Sequence, residues 1–335
     1  MKKLLALALS GVMMLSLAAC GAKEEAPAAP AASAPAASSA PAEAETYTVG
    51  ICQLVQHVAL DAATEGFMDA LNEALPGQVE FDNQNASNDI PMCSTIVNQF
   101  VAEDVDLILA NATPALQAAS AATVDIPILG TSVTEYGVAM GISGFSGTVG
   151  GNVSGTSDLA PLDQQAAMIM EWFPEAKNVG LVYCSAEANS QYQVDVVKAE
   201  LEKLGCTATL YSFSDSNDLA AVAQNAASAS DVIYVPTDNT VASNAGLIDN
   251  ICRPAGVPII AGEEGICAIA GVATLSISYY DLGVATGEMA AKILTGEADI
   301  STMPVGYAAT VTPKYNADIC ASLNITPLEG YEAIA

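Results

Sequence analysis

Polar side chains that could bind a ligand or transfer a proton stand directly after apolar, strand-like runs of this chain. Asn111 follows one such run, Asp238 and Asn239 follow another, and Glu263 follows a third. Helix capping accounts for part of such a pattern, because Asn, Asp, Ser and Thr are the preferred residues at helix N-termini. Clusters on successive loops go beyond capping and indicate one polar cleft that several loops share.

Little in the chain supports catalysis. His57 is its one histidine, and the sequence contains no G-x-S-x-G elbow, Walker sequence or G-x-G-x-x-G run. Acid–base chemistry would then rest on carboxylates such as Glu263 and Glu264, and such pairs are common on protein surfaces. We therefore expect a non-enzymatic protein without a cofactor.

Composition excludes two further classes. Nine basic residues face 38 acidic ones among 335, a formal net charge of −29, so the chain cannot neutralise nucleic-acid phosphates. Seven cysteines follow Cys20 with no C-x-x-C spacing, and one histidine cannot complete a zinc ligand set. We expect most of these cysteines to be free core residues. A pair such as Cys252 with Cys267 remains open.

The hydrophobic pattern of the chain predicts the fold that would position this cleft. Apolar runs such as Tyr47 to Gln53 and Asn178 to Tyr183 alternate with helical patterns of ten or more residues. This alternation predicts βαβ units, and two consecutive series of them predict an α/β fold of two doubly wound parallel-sheet lobes. Ligands of such sheets bind beyond the carboxyl ends of the strands.

The tail after residue 272 is too short for a third domain, so we expect it to add elements to both lobes. The predicted N-terminal lobe is 46–152 plus about 272–298, and the C-terminal lobe is 153–271 plus about 299–335. The chain would cross between the lobes near 150–157, near Ala270 and near 298–304, which together would form a hinge.

The first 45 residues have a different composition. Met1-Lys2-Lys3, an apolar run from Leu4 to Leu15 and small residues before Cys20 match the three parts of a secretory signal peptide. The site resembles the bacterial lipobox, in which the cysteine is lipidated. Residues 1–20 are thus predicted to be a lipoprotein signal peptide, and the Ala/Pro/Ser/Glu-rich residues 21–45 a disordered linker.

Several ordered motifs together resemble the substrate-binding lipoproteins of ABC importers, in the subgroup associated with tryptophan, tyrosine and other amino acids. The motifs are Gly50-Ile51-Cys52-Gln53-Leu54, His57-Val58-Ala59-Leu60-Asp61, Asn111-Ala112-Thr113-Pro114-Ala115, the run from Gly150 to Asp158, Ser185-Ala186-Glu187-Ala188-Asn189-Ser190, the run from Tyr234 to Val241, Ala261-Gly262-Glu263-Glu264-Gly265, and the run from Ser278 to Gly283. The one clear departure in the first loop is Val58, where the family usually has proline.

The resemblance implies a type I periplasmic-binding-protein fold whose lobes close over a small solute, here an amino acid and possibly an aromatic one. It implies delivery to an ABC permease and its ATPase, and a monomer lipid-anchored to the outer face of the cell membrane. The alternatives left open are a binding protein for a nucleoside or sugar and a receptor module that senses its ligand without transporting it.

The chemistry of an amino acid then assigns contacts. Free N–H groups and a hydroxyl at a helix N-terminus suit a carboxylate, a position held by Thr113, with Thr131 and Ser132 offering the same on the next loop. The ammonium group needs a carboxylate, for which Asp238 is the first choice and Glu263 the second. Alternatively, Asp238 caps the helix that follows it.

The remaining predicted contacts orient the ligand from both lobes: Gln53, Asn111, Asn189, Ser190 and Asn239. Tyr279 or its neighbour Tyr280 would supply an aromatic wall. His57 would either touch the ligand or cap the first helix.

Overall fold

Two sheets dominated by parallel strands, each covered by helices, form the computed structural model, which describes residues 46–334. The predicted fold class is confirmed. The predicted signal peptide, Cys20 and the linker lie outside the described residues. No helix of residues 46–334 has both the length and the apolar character needed to cross a membrane.

The first sheet has strand order β11-β5-β4-β3-β1-β2. Its strands are β1 (Tyr47–Gln53), β2 (Val79–Asn85), β3 (Leu107–Asn111), β4 (Ile128–Val133), β5 (Val153–Ser157) and β11 (Gly306–Tyr307). The helices that pack with it are α1 (Val58–Ala74), α2 (Ile90–Glu103), α3 (Thr113–Ala122), α4 (Tyr136–Met140) and α11 (Tyr279–Leu294). We call this sheet and its helices the first lobe.

The second sheet has strand order β13-β12-β10-β9-β8-β6-β7, with β12 antiparallel to β10. Its strands are β6 (Asn178–Cys184), β7 (Thr207–Phe213), β8 (Val232–Val235), β9 (Ile259–Ala261), β10 (Ala273–Ser276), β12 (Thr312–Tyr315) and β13 (Glu332–Ala333). Its helices are α5 (Leu162–Trp172), α6 (Ala188–Lys203), α7 (Ser216–Ala229), α8 (Asn239–Ala242), α9 (Ala245–Cys252), α10 (Glu264–Ala270) and α12 (Ala317–Ser322). These elements form the second lobe.

The predicted lobe boundaries require correction. β5 pairs with β4, so residues 153–157 belong to the first lobe, and β11 adds to the same edge. β10 pairs with β9 and therefore belongs to the second lobe. The residue pattern could not show which neighbouring sheet edge each of these segments joins. Segments 158–161, 277–278 and 308–311 consequently connect the lobes.

A close contact between α1 and α11 ties the tail to the first lobe. A Cβ on Gly283 would lie 2.1 Å from the carbonyl oxygen of Ala63, and one on Gly66 would lie 2.2 Å from that of Tyr280. Glycine at these positions lets the two helix backbones touch. The contact places Tyr279, the first residue of α11, at the interface between the lobes.

Two predicted elements differ from the structure. The sequence from Val241 to Ala255 reads as one helical pattern, but the structure divides it into α8 and α9, with Asn244 as the N-cap of α9. Gly262-Glu263-Glu264 reads as a loop in the sequence, but Glu264 already begins α10. The seven cysteines of residues 46–334 are free and buried, as expected for core residues, and this includes both members of the Cys252 and Cys267 pair.

Candidate functional site

The candidate site lies where the carboxyl ends of the two sheets face each other. Side chains of both lobes enclose a cavity of about 10 Å³ there. The residues that line it are His57, Leu60, Asp158, Thr237, Asp238, Asn239, Ala242, Glu263 and Tyr279. Five of them were predicted from the sequence, whereas Leu60, Asp158, Thr237 and Ala242 were missed. A volume of this size holds about one water molecule, so a larger ligand requires the lobes to separate or side chains to move.

Asp158, which follows β5, is the most informative of the missed residues. Its side chain is 3% exposed, and its Oδ2 accepts a hydrogen bond of 2.9 Å from the Tyr279 hydroxyl. Its Oδ1 has no hydrogen-bond partner among residues 46–334. Burial raises the pKa of Asp158, and the bond from Tyr279 opposes that shift. The lining residues include three carboxyl groups and neither lysine nor arginine.

Two unpartnered hydroxyls lie at the same edge of the first sheet. Thr113 Oγ1 and Ser132 Oγ are buried and form no hydrogen bond within the described part of the chain. Ala112 and Ser132 have φ angles of 98° and 54°, in the left-handed region that residues other than glycine rarely occupy. Thr113 begins α3, whose N-terminus has no side-chain cap. Hydroxyls and free N–H groups of this kind are suited to an anionic oxygen.

Asp238 and Glu263 both cap helices. Asp238 accepts hydrogen bonds from the backbone of Val241 at 2.9 Å and of Cys184 at 2.6 Å, so the capping alternative describes its observed contacts. Glu263 accepts bonds from the backbone N–H groups of Gly265 and Ile266. Burial raises the pKa of Asp238 to about 8, with the charge of Glu187 acting in the same direction, and burial raises that of Glu263 to about 7.

Two other candidates face the opposite lobe. His57 makes no capping bond to α1; its Nε2 instead lies 3.2 Å from Asn239 Oδ1 across the cleft. Tyr279 is buried in the cavity wall, whereas Tyr280 is 39% exposed and bonds to Asp69 outside it. Val58 is the exposed first residue of α1, a position where proline and valine are both accommodated.

The other predicted residues form hydrogen bonds outside the cavity lining. Gln53 donates to Asp61 and accepts from Thr64, which also accepts from Asn111. Thr131 contacts Thr156 through their hydroxyls. In the second lobe Asn189 donates to the carbonyl of Thr237 at 3.1 Å, and buried Ser190 lies beside it. None of these side chains lines the 10 Å³ cavity.

No three His, Cys, Asp or Glu side chains in the described part of the chain are arranged to hold a metal ion. Carboxyl groups of Asp158, Asp238 and Glu263 line the cavity, whereas the predicted residues Thr113, Thr131 and Ser132 do not. The hydroxyls of Thr113 and Ser132 lie at the carboxyl edge of the first sheet, beside the N-terminus of α3.

Comparisons with known proteins agree with this geometry. The family model described as "ABC transporter substrate binding protein" matches residues 48–330. A "Tyrosine-binding protein" of Clostridioides difficile is 35% identical over 283 residues, which are 84% of this chain and 81% of that protein.

Solved structures extend the comparison. An ABC domain from Streptococcus pneumoniae in complex with L-Trp has a TM-score of 0.82 and 33% identity over 87% of this chain and 100% of its own. The ligand-free, open structure of a substrate-binding protein with adhesive properties from Clostridium difficile has a TM-score of 0.65 and 37% identity over 86% of this chain and 99% of its own. The chain therefore belongs to the family of ABC transporter substrate-binding proteins and has the fold of the type I periplasmic binding proteins.

Proposed function

We propose that this protein captures an L-amino acid with an aromatic side chain between its lobes and delivers it to an ABC permease and its ATPase. The observation that carries the proposal is the unpartnered Oδ1 of buried Asp158, in a cavity that three carboxyl groups and no lysine or arginine line. The unpartnered hydroxyls of Thr113 and Ser132 supply the complementary anion site. Together they match the two charges of a zwitterion.

Asp158 replaces Asp238 as our first choice for the ammonium contact. Both oxygens of Asp238 already accept backbone hydrogen bonds, whereas Asp158 keeps one free. Asp238 and Glu263 remain proposed contacts, because a bound ammonium group would favour ionisation of their carboxyl groups. Tyr279 orients Asp158 and contributes its ring to that wall. The names of the Tyr-binding and Trp-bound relatives support an aromatic ligand.

Ligand capture by lobe closure follows from the size of the cavity. A volume of about 10 Å³ cannot admit an amino acid unless the cleft opens, and the three connecting segments allow such a hinge motion. The TM-score is higher with the L-Trp complex than with the open structure, although the open structure has the higher identity. The described arrangement is thus more similar to the L-Trp complex than to the open, ligand-free structure. A ligand that touches both lobes stabilises the closed state by its differential affinity.

The site of action is the outer face of the cell membrane, with a lipid on Cys20 as anchor. The lipobox-like sequence supports this, and the acyl chains would supply the membrane affinity that the linker lacks. We expect Cys20→Ser to be released from membranes on fractionation; retention equal to the unaltered protein would contradict the anchor. We also propose that the body is a monomer, to be checked by sedimentation.

Calorimetric titration of residues 46–335 tests the binding proposal. L-tryptophan, L-tyrosine and L-phenylalanine form the panel, with tryptamine and indole-3-propionate as matched probes that lack the carboxylate and the amine. We expect an L-aromatic amino acid to bind more tightly than both probes, since each lacks one ionic contact. Binding of a sugar or nucleoside, with no heat from any amino acid, would overturn the proposal. Uptake of the labelled ligand by cells lacking the protein separates import from sensing.

A further inference from the structure

Two side-chain hydrogen bonds cross the cleft and end on adjacent residues. His57 Nε2 of the first lobe lies 3.2 Å from Asn239 Oδ1, and Asn88 Nδ2 of the first lobe donates to Thr240 Oγ1 at 3.1 Å. Asn239 and Thr240 are the first two residues of α8 in the second lobe. One short turn of helix therefore receives both contacts.

A single carboxylate organises that turn. Glu187, 1% exposed, accepts hydrogen bonds from Asn239 Nδ2 at 2.6 Å and from Thr240 Oγ1 at 2.8 Å. It also accepts from the backbone N–H groups of the same two residues, at 3.2 and 2.9 Å. Asn189 Nδ2 adds a longer bond of 3.3 Å. Glu187 does not line the 10 Å³ cavity.

The carboxylate fixes the direction of every bond in this group. An ionised carboxylate can only accept, so Asn239 must turn its NH₂ group and Thr240 its hydroxyl hydrogen towards Glu187. The amide oxygen of Asn239 and a lone pair of Thr240 are then left to face the first lobe. They meet two donors there, the amide NH₂ of Asn88 and the Nε2–H of His57.

The two donors of the first lobe are held by the conformation of the loops that carry them. Asn88 lies in the loop after β2, where Ser87 and Asn88 have φ angles of 55° and 63°. The backbone N–H of Asn88 bonds to the carbonyl of Leu54, which ties this loop to the one after β1. Burial lowers the pKa of His57, which favours a neutral ring that carries one hydrogen.

We propose that Glu187 is the positioning residue of an interlobe latch, formed with Asn239, Thr240, His57 and Asn88, that sets the lifetime of the closed state. The inference rests on the proposed capture of a ligand by lobe closure and adds a control over its release. Glu187 acts through the polarity of two side chains and does not touch the ligand. A glutamine there would offer an NH₂ group where the site requires an acceptor.

A double-mutant cycle tests the latch, with L-tryptophan as probe and dissociation followed by stopped-flow fluorescence. Glu187→Gln and Asn88→Ala should each speed dissociation, and Glu187→Gln should weaken affinity about ten-fold, the size expected for two lost hydrogen bonds. Because both act on the same contacts, the combined variant should lose much less than the product of the single losses. Glu202→Gln, on the solvent side of α6, is the matched control.

A role of Glu187 confined to supporting its loop predicts another result. Melting temperature would fall, while the dissociation effects of Glu187→Gln and Asn88→Ala would multiply, and that outcome overturns the latch. If Glu187→Gln does not fold, the double variant of Asn88→Ala and His57→Ala tests the latch instead, and an unchanged dissociation rate overturns the proposal.

If the unaltered protein gives no heat with L-tryptophan, the aromatic amino-acid proposal loses its support separately. In that case X-ray scattering of the ligand-free protein tests the latch. The latch requires a larger radius of gyration for Glu187→Gln than for the unaltered protein.

Discussion

The Tyr279 hydroxyl and the Asp158 carboxylate form a buried hydrogen bond of 2.9 Å that leaves one carboxylate oxygen free in the cavity. Tyr279 starts α11, where the chain enters the first lobe, and Asp158 follows the last residue of β5, where the chain leaves it, so the bond joins two connecting segments. The pair fixes the direction of the free oxygen at the place where the lobes meet.

Asp158→Asn should abolish most of the affinity for an α-amino acid. The asparagine can still accept the Tyr279 bond, so the fold should persist, but the ligand ammonium loses its charged partner. A loss on the order of 2–5 kcal/mol is expected for a buried pair, at least about 30-fold in Kd. Calorimetric titration measures the loss. Tyr279→Phe is the companion variant and should give a smaller one. Equal affinities of Asp158→Asn and the unaltered protein would remove Asp158 from the site.

Thr113→Val should lower affinity without lowering stability. The buried hydroxyl of Thr113 has no partner, so its removal costs no hydrogen bond in the free protein and relieves the cost of burying it unpaired. Melting temperature should stay constant or rise, while affinity for the ligand carboxylate falls. Thr131→Val is the matched control, because the Thr131 hydroxyl contacts Thr156 and its loss should destabilise the fold. A lowered melting temperature for Thr113→Val with unchanged affinity would show a structural role.

The sequence predicts the scaffold better than it predicts the contacts. β1 has the predicted bounds, and β6 extends the predicted run from Asn178 to Tyr183 by one residue, because continuous apolar, β-branched runs are typical of strands buried in a parallel sheet. Loops after the strands were correctly placed around one cleft, because parallel strands end at a common edge. The start of α10 was missed, since Gly262 to Gly265 reads as a loop and a Glu cap is not a strong helix signal.

The roles of individual carboxylates could not be predicted. Asp158 and Asp238 each follow a strand, and their local sequences do not distinguish them. Only the tertiary structure shows that both oxygens of Asp238 hold backbone N–H groups, whereas Asp158 keeps one oxygen free. Glu187 was missed for the same reason, because its partners Asn239 and Thr240 lie more than fifty residues away.

The free energy of unfolding should fall as the pH rises from 6.5 to 8. Burial raises the pKa of Asp238 to about 8 and of Glu263 to about 7, above the value of about 4 in an unfolded chain. Between pH 6.5 and 8 the folded chain therefore binds more protons than the unfolded chain. Raising the pH over this interval lowers the free energy of unfolding by about 2 kcal/mol in total. The lowered pKa of His57 has the opposite sign and acts mainly below pH 6.5.

Urea denaturation across this pH interval measures the effect. Glu263→Gln should reduce the slope, because the amide has no proton to lose, whereas Glu202→Gln on the surface of α6 should leave it unchanged. A free energy of unfolding that stays level or increases towards pH 8 would mean that these carboxyl groups are ionised at no cost in the folded protein.

Gly283→Ala should destabilise the protein and disturb the site together. A methyl group there would stand 2.1 Å from the backbone oxygen of Ala63, so α11 must move away from α1, at a cost of about 1–3 kcal/mol. Because α11 carries Tyr279, the displacement also loosens the bond to Asp158 and should weaken ligand binding. Gly246→Ala in α9 is the matched control: no atom lies within 4 Å of its added carbon, and alanine favours a helix by about 1 kcal/mol. Melting temperatures should therefore shift down for Gly283→Ala and up for Gly246→Ala. A Gly283→Ala protein with unaltered melting temperature and affinity would mean that the contact between α1 and α11 does not position the site.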